Sequence, residues 1–190
     1  SRVLGIPFDQ VTSQERSRAK AVNFGVIYGM SGFGLSEELQ ISRKEAEKYI
    51  DDYFDKHKKV KEYMDSQISG CREKGYSETI LGRKRPIHEI NAVAYMVRQL
   101  GERLAMNSPI QGSAADIIKI AMIRVHNALR EKFPDTKLIL QVHDELILCA
   151  PVKDREKAGE LLRSEMEKAV NLSVKLVAEV NEGYTWYDLK

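Results

Sequence analysis

Cysteine is nearly absent: Cys71 and Cys149 are the two in 190 residues, too few for a disulfide framework and too isolated for a zinc cluster. Both are expected to be plain thiols in a reducing compartment. Proline is scarce at five and glycine modest at twelve, which excludes collagen and low-complexity repeats. No apolar run approaches the roughly 20 residues that a membrane helix needs, so no membrane partner is expected. The opening Ser1-Arg2-Val3-Leu4-Gly5 has no signal-peptide pattern and no initiator Met. An incomplete or processed start is expected, a serine left by cleavage being the alternative. A dominant charge sign is missing too, since 30 Lys and Arg face 28 Asp and Glu for a net +2, and bulk field alone does not announce a nucleic-acid binder. What remains is a folded-domain composition, 43% hydrophobic and 31% charged. Its length suits one medium domain or a large piece of a bigger protein.

Local charge says more than the total. Between Arg72 and Arg103 stand seven basic residues (Arg72, Lys74, Arg83, Lys84, Arg85, Arg98, Arg103) against four acidic ones. Such a patch suits phosphates, and it equally suits a solvated face with ordinary ion pairs. Periodicity and caps place a helix from Ser13 to Tyr28 closing at Gly29, and another from the capping box Ser42/Glu45 to Lys56 with Ala46, Ile50 and Phe54 on one stripe. A third runs from Lys59 to Lys74. Tyr76–Ile80 and Arg85–Ile87 predict a short hairpin with a basic, outward-reaching tip. A helical pattern over 91–106 is expected to break at Pro109, after which Ser113 and Asp116 cap a long core helix. Leu138–Val142 and Glu145–Ala150 around His143-Asp144 predict a tight hairpin. A helix over 154–169 and a last strand over 174–180 follow. The glycine-rich 29–34 segment reads as an interhelical turn, and Trp186 as an anchor of the C-terminus. The fold class is α+β, with a small antiparallel sheet covered by helices.

Two constellations carry chemistry. Arg16, Lys20, Phe24 and Tyr28 recur every fourth residue, so each step drifts only about 40° around a helix and all four share one stripe. Two cations followed by two rings suit a triphosphate beside a base. An amphipathic helix with a solvated basic end fits the same spacing. In Gln141-Val142-His143-Asp144-Glu145, adjacent carboxylates repel unless a cation or metal balances them, and hard oxygens suit Mg²⁺. A polar hairpin turn is the plainer reading. His57, His88 and His126 have no zinc spacing.

The run Arg16 to Gly29 resembles the fingers-helix motif, R-x3-K-x3-F-x3-Y-G, of family A DNA polymerases, the bacterial DNA polymerase I family. Gln141-Val142-His143-Asp144-Glu145 resembles that family's third polymerase motif, in the palm. The segment 107–116 is similar to its DNA-contacting segment, and 185–190 to its usual C-terminus. The similarity covers essentially the whole chain.

The resemblance implies a fingers portion over 1–75 and a palm portion over 76–190. It implies that Arg16 and Lys20 bind the incoming nucleotide's phosphates, with Lys20 a candidate proton donor to pyrophosphate. Phe24 would pack on the sugar and base, Tyr28 and Gly29 would border the template, and Arg103, Asn107, Gln111 and His143 would touch primer or template. Asp144 would bind a catalytic metal, with Glu145 supporting it. Mg²⁺, primer-template DNA and deoxynucleoside triphosphates are the implied cofactor and partners, and the bacterial cytoplasm the implied location. The family's first palm motif, with its other metal-binding aspartate, is not found upstream of the fingers helix. The 190 residues are therefore expected to be inactive without a missing N-terminal polymerase segment. Two alternatives are a natural subunit of a split polymerase and a noncatalytic duplex-binding module.

Overall fold

The computed structural model describes residues 11–189, apart from the side chains of Gln14 and Arg18. The sequence expectations for Ser1 to Gly5 and for Lys190 lie outside the described residues. The chain separates into two compact units, one ending at Ile110 and the other starting at Gln111. The fingers and palm division expected at 75/76 is a functional one and is taken up below.

In the first unit α1 (Ser13–Ile27) opens on a capping box: the Glu15 N–H donates to Thr12 Oγ1 at 3.2 Å, while the Thr12 N–H donates to Glu15 Oε2 at 2.8 Å. Two orphan amides are thereby satisfied and the helix start is fixed. α3 (Arg43–Lys56) repeats the device with Ser42 and Glu45. Between them lies α2 (Gly32–Leu39), a helix where the sequence suggested only a turn. Ser31 caps it by accepting the Gly34 N–H at 3.2 Å, and Leu35 and Leu39 give it a buried face that outweighs the glycines. Val22 and Val26 of α1, Leu35 and Leu39 of α2, and Ala46 and Tyr53 of α3 form one core.

α4 (Lys58–Lys74) ends at Gly75, whose φ of 78° is the left-handed stop that the sequence predicts. β1 (Tyr76–Glu78) and β2 (Lys84–Pro86) pair antiparallel with Ser77 opposite Arg85. Cys71, Ile87, Ile90 and Ala105 form the core beneath. Cys71 is thus a buried thiol, and burial pushes its pKa up.

α5 (Tyr95–Lys132) corrects the expected break, because Pro109 sits inside one continuous 38-residue helix and Ser113 is an interior residue rather than a cap. A mid-helix proline forfeits the bond to the carbonyl four residues earlier and costs about 3 kcal/mol. Ala105, Met106, Ser108 and Pro109 itself are all buried, and packing along that stretch offsets the loss.

In the second unit the remainder of α5 meets β3 (Lys137–Val142), β4 (Glu145–Cys149) and α6 (Arg155–Glu167) around Ala121, Val125, Leu129, Leu146 and Ala169. The strands pair antiparallel from Lys137 opposite Cys149 to Val142 opposite Glu145, with an irregularity at Ile139. Arg124 ties α5 to α6, donating from Nε to Glu165 at 2.9 Å and from Nη1 to the Lys168 carbonyl at 2.8 Å. The strand expected over 174–180 is absent. An alternating segment becomes a strand only against a partner edge, and here its recorded tie is the Ala178 N–H to Glu167 Oε1 at 3.2 Å, while Val174 and Val177 are each 74% exposed. Trp186 is 49% exposed in a 3₁₀ turn, so it does not anchor the C-terminus in the core as expected. Two small antiparallel sheets among helices make the chain α+β.

Candidate functional site

α1 has two faces because its apolar residues fall on one side. Val22 and Val26 are fully buried, and the opposite side presents Arg16, Lys20, Phe24 and Tyr28, all exposed. Phe24 and Tyr28 are 48% and 46% exposed and lie stacked, their centroids 6.4 Å apart and their planes 19° from parallel. Lys20 Nζ stands 5.9 Å from the Phe24 centroid. Large rings left half in water, with a cation over one of them, are arranged for a ligand that has both a flat face and negative charge.

The C-terminal end of that stripe is held by α5 within the same unit. Gly29 turns with φ of 73°, and a Cβ there would stand 2.5 Å from Met106 Cε and 3.3 Å from Arg103 Cγ. Asn107 Nδ2 donates to the Tyr28 carbonyl at 3.3 Å. Asn107 therefore has a protein partner; its carboxamide oxygen and second N–H are further hydrogen-bonding capacity. Arg103 is exposed beside the turn. Just past the basic tip of the first hairpin, Arg85 donates from Nη1 to the buried Ser108 Oγ at 3.0 Å, pinning β2 to α5. Lys84 lies 4.7 Å from the Tyr76 ring centroid. Sequence reasoning missed these roles of Arg85 and Ser108. No local pattern links the two, which lie 23 residues apart in the sequence.

In the second unit His143, Asp144 and Glu145 are exposed at the tip of the β3–β4 hairpin. His143 adopts φ of 53°, a left-handed conformation that histidine tolerates better than a β-branched residue does. Gln141 Nε2 donates to its carbonyl at 2.7 Å and braces the turn. Gln111 is exposed at the start of this unit's stretch of α5. Asp144 and Glu145 offer hard oxygen donors of the kind Mg²⁺ prefers. Among the described residues no group of three or more His, Cys, Asp or Glu is arranged to hold a metal ion. Two adjacent carboxylates at one hairpin tip fit part of a Mg²⁺ donor set. No helix among the described residues is long and apolar enough to cross a membrane.

Comparison with known proteins covers the chain from end to end. A family model described as DNA polymerase family A matches residues 1–188. The chain is 48% identical over 190 residues to DNA polymerase I of Caldicellulosiruptor bescii and 51% identical over 190 residues to DNA polymerase I of Streptococcus pneumoniae, covering 100% of itself and 22% of each relative. It thus spans about a fifth of the length of the curated relatives it matches. A solved structure of the POL domain of Pol1 from M. smegmatis, in complex with DNA primer-template and dNTP, superposes with a TM-score of 0.95 at 39% identity, over 100% of this chain and 33% of that one.

Proposed function

Because the chain belongs to DNA polymerase family A, we propose that it is the fingers and palm portion of a DNA-directed DNA polymerase, adding nucleotides to a primer 3′-hydroxyl under the direction of a template. The fingers portion is 1–75 and the palm portion 76–190. The observation that carries this reading is the exposed stripe on α1, two cations followed by two stacked rings on a helix whose other face is core.

Arg16 and Lys20 bind the phosphates of a deoxynucleoside triphosphate, with Lys20 also the proton donor to the departing pyrophosphate. Phe24 packs on the sugar and base, and Tyr28 with Gly29 borders the template side of the new pair. Arg103, Asn107, Gln111 and His143 contact primer or template through acceptors that every base pair presents in the minor groove, so contact there does not select sequence. Asp144, with a carboxylate from outside these 190 residues, would hold Mg²⁺, and Glu145 would support it. When bound, Mg²⁺ would lower the pKa of the attacking primer hydroxyl and offset the charge that builds on the leaving pyrophosphate. The cytoplasm of a bacterium is the compartment this reading implies.

The test is primer extension on a primed template with Mg²⁺ and four nucleotides, by this chain alone and with the upstream polymerase segment added in trans. Extension is expected only with the added segment, and Asp144→Ala is expected to abolish it with duplex affinity nearly intact. Extension by the chain alone overturns the shared metal site. Duplex binding that never becomes extension would instead support a noncatalytic module.

A further inference from the structure

Two neighbouring residues of α5 are tied to two different elements of the first unit. Asn107 Nδ2 donates to the Tyr28 carbonyl at 3.3 Å, at the end of α1. Ser108, only 6% exposed, accepts from Arg85 Nη1 of β2 at 3.0 Å. Consecutive helical residues project about 100° apart, so the two bonds grip α5 from different sides. Either bond alone leaves the helix free to roll about its axis, whereas both together fix the roll. Two turns earlier the helix is held by backbone packing: a Cβ at Gly101 would stand 2.6 Å from the Glu89 carbonyl carbon and from the Ile90 nitrogen. Pro109 follows Ser108 directly and has no N–H to bond the Ala105 carbonyl. That missing rung makes the roll of this stretch more dependent on side-chain ties.

We propose that Ser108 is a positioning residue for the nucleotide stripe: by holding Arg85 it sets the roll of α5 and so keeps Asn107 on the Tyr28 carbonyl. The proposal rests on the reading of Tyr28 as a border of the new base pair. The Asn107 bond is the sensitive one. At 3.3 Å it lies just beyond the usual range of about 2.7–3.2 Å, so a further shift of a few tenths of an ångström breaks it. The Arg85 bond, at 3.0 Å, sits inside that range. With the Ser108 hydroxyl gone, α5 rolls, Asn107 lets go and Tyr28 loses its restraint. The nucleotide must then order Tyr28 as it binds. Such a loss is one of binding shared by ground and transition states, so it falls on KM and leaves kcat in place.

The experiment has two arms. In the 190-residue chain, hydrogen exchange of the Asn107 carboxamide is followed by NMR in wild type, Ser108→Ala and Arg85→Ala. Both variants are expected to speed exchange of the bonded N–H by about twofold to tenfold, the factor one hydrogen bond is worth. Wild-type exchange in either variant overturns the proposal. In the enzyme reassembled with the upstream segment, Ser108→Ala is expected to raise KM for the nucleotide by the same factor at constant kcat. Ser108→Thr keeps the hydroxyl and is expected to restore the wild-type KM. Ser108→Ala added to Asn107→Ala is expected to raise KM no further, because the bond it acts through is already gone. Effects that multiply in this double variant would reduce Ser108 to a residue that stabilises the fold, and that result overturns the proposal even if the threonine variant does not fold. A wild-type reassembled enzyme that never extends its primer would count against the polymerase reading, and the exchange arm then decides the tie between Ser108 and Asn107 by itself.

Discussion

Gly29→Ala tests how closely the end of α1 is fitted to α5, and Gly75→Ala supplies the reference. Both glycines follow helices with left-handed backbones, at φ of 73° and 78°. An L-residue held there costs roughly 1–2 kcal/mol. At Gly75 nothing lies within 4 Å of an added Cβ, so that backbone cost is the whole effect. At Gly29 the new methyl would stand 2.5 Å from Met106 Cε, and Met106 is itself buried. Driving Met106 off its rotamer adds about 0.5–1.5 kcal/mol, which brings Gly29→Ala to roughly 1.5–3.5 kcal/mol. Urea unfolding followed by circular dichroism, with hydrogen exchange to assign the loss to α1, measures both variants. Met106→Leu removes the Cε atom, so the double variant Gly29→Ala/Met106→Leu is expected to recover the excess over Gly75→Ala. Equal costs at the two glycines, or strict additivity in the double variant, would refute the close approach as the cause.

Lys20→Ala in the reassembled enzyme is expected to slow single-turnover incorporation by orders of magnitude, with folding unchanged because Lys20 is exposed; wild-type rates would remove it from phosphate binding. Phe24→Tyr sets a hydroxyl at the edge of the half-exposed ring and is expected to ease acceptance of nucleotides lacking a 3′-hydroxyl. Unchanged discrimination between the two nucleotide types would count against Phe24 lining the sugar pocket. The Ser42 hydroxyl and backbone hold the Glu45 carboxyl below its ordinary value of 4.5. A folded-state pKa that is lowered gives stability that is present above the ordinary value and is lost as pH falls through the lowered one. The difference in urea midpoint between wild type and Ser42→Ala is therefore expected to be constant near neutrality and to shrink in acid. A difference that held or grew in acid would show that Glu45 is not the titrating partner.

Sequence reasoning found the elements whose causes are local. The helix start at Thr12–Ser13, the capping box at Ser42/Glu45, the stop at Gly75 and the two hairpins are decided within a few residues, and each is found where the sequence suggested it, the first hairpin with strands shifted to 76–78 and 84–86. It erred where a distant partner decides. Pro109 is a helix breaker by every local rule, yet burial along 105–109 carries α5 through it. Residues 174–180 have the alternation of a strand, yet alternation supplies no partner edge. Trp186 has the largest apolar side chain in the sequence, and nothing in its neighbours' identities shows that half of it stays in solvent.

The site divides along the same line. Fourfold spacing was enough to put Arg16, Lys20, Phe24 and Tyr28 on one side of a helix, because that spacing is the helix repeat itself, and the structure adds that the opposite side is core. Spacing could not show that the Tyr28 carbonyl accepts from Asn107, 79 residues later in the chain. That bond bears on how Asn107→Ala should be read. If the carboxamide served DNA alone, its loss would weaken duplex binding. Because it also holds the carbonyl of the last stripe residue, truncation loosens Tyr28 as well. Raised KM for the nucleotide with little change in duplex affinity is then the pattern that assigns the effect to Tyr28, and reduced duplex affinity at constant KM the pattern that assigns it to DNA.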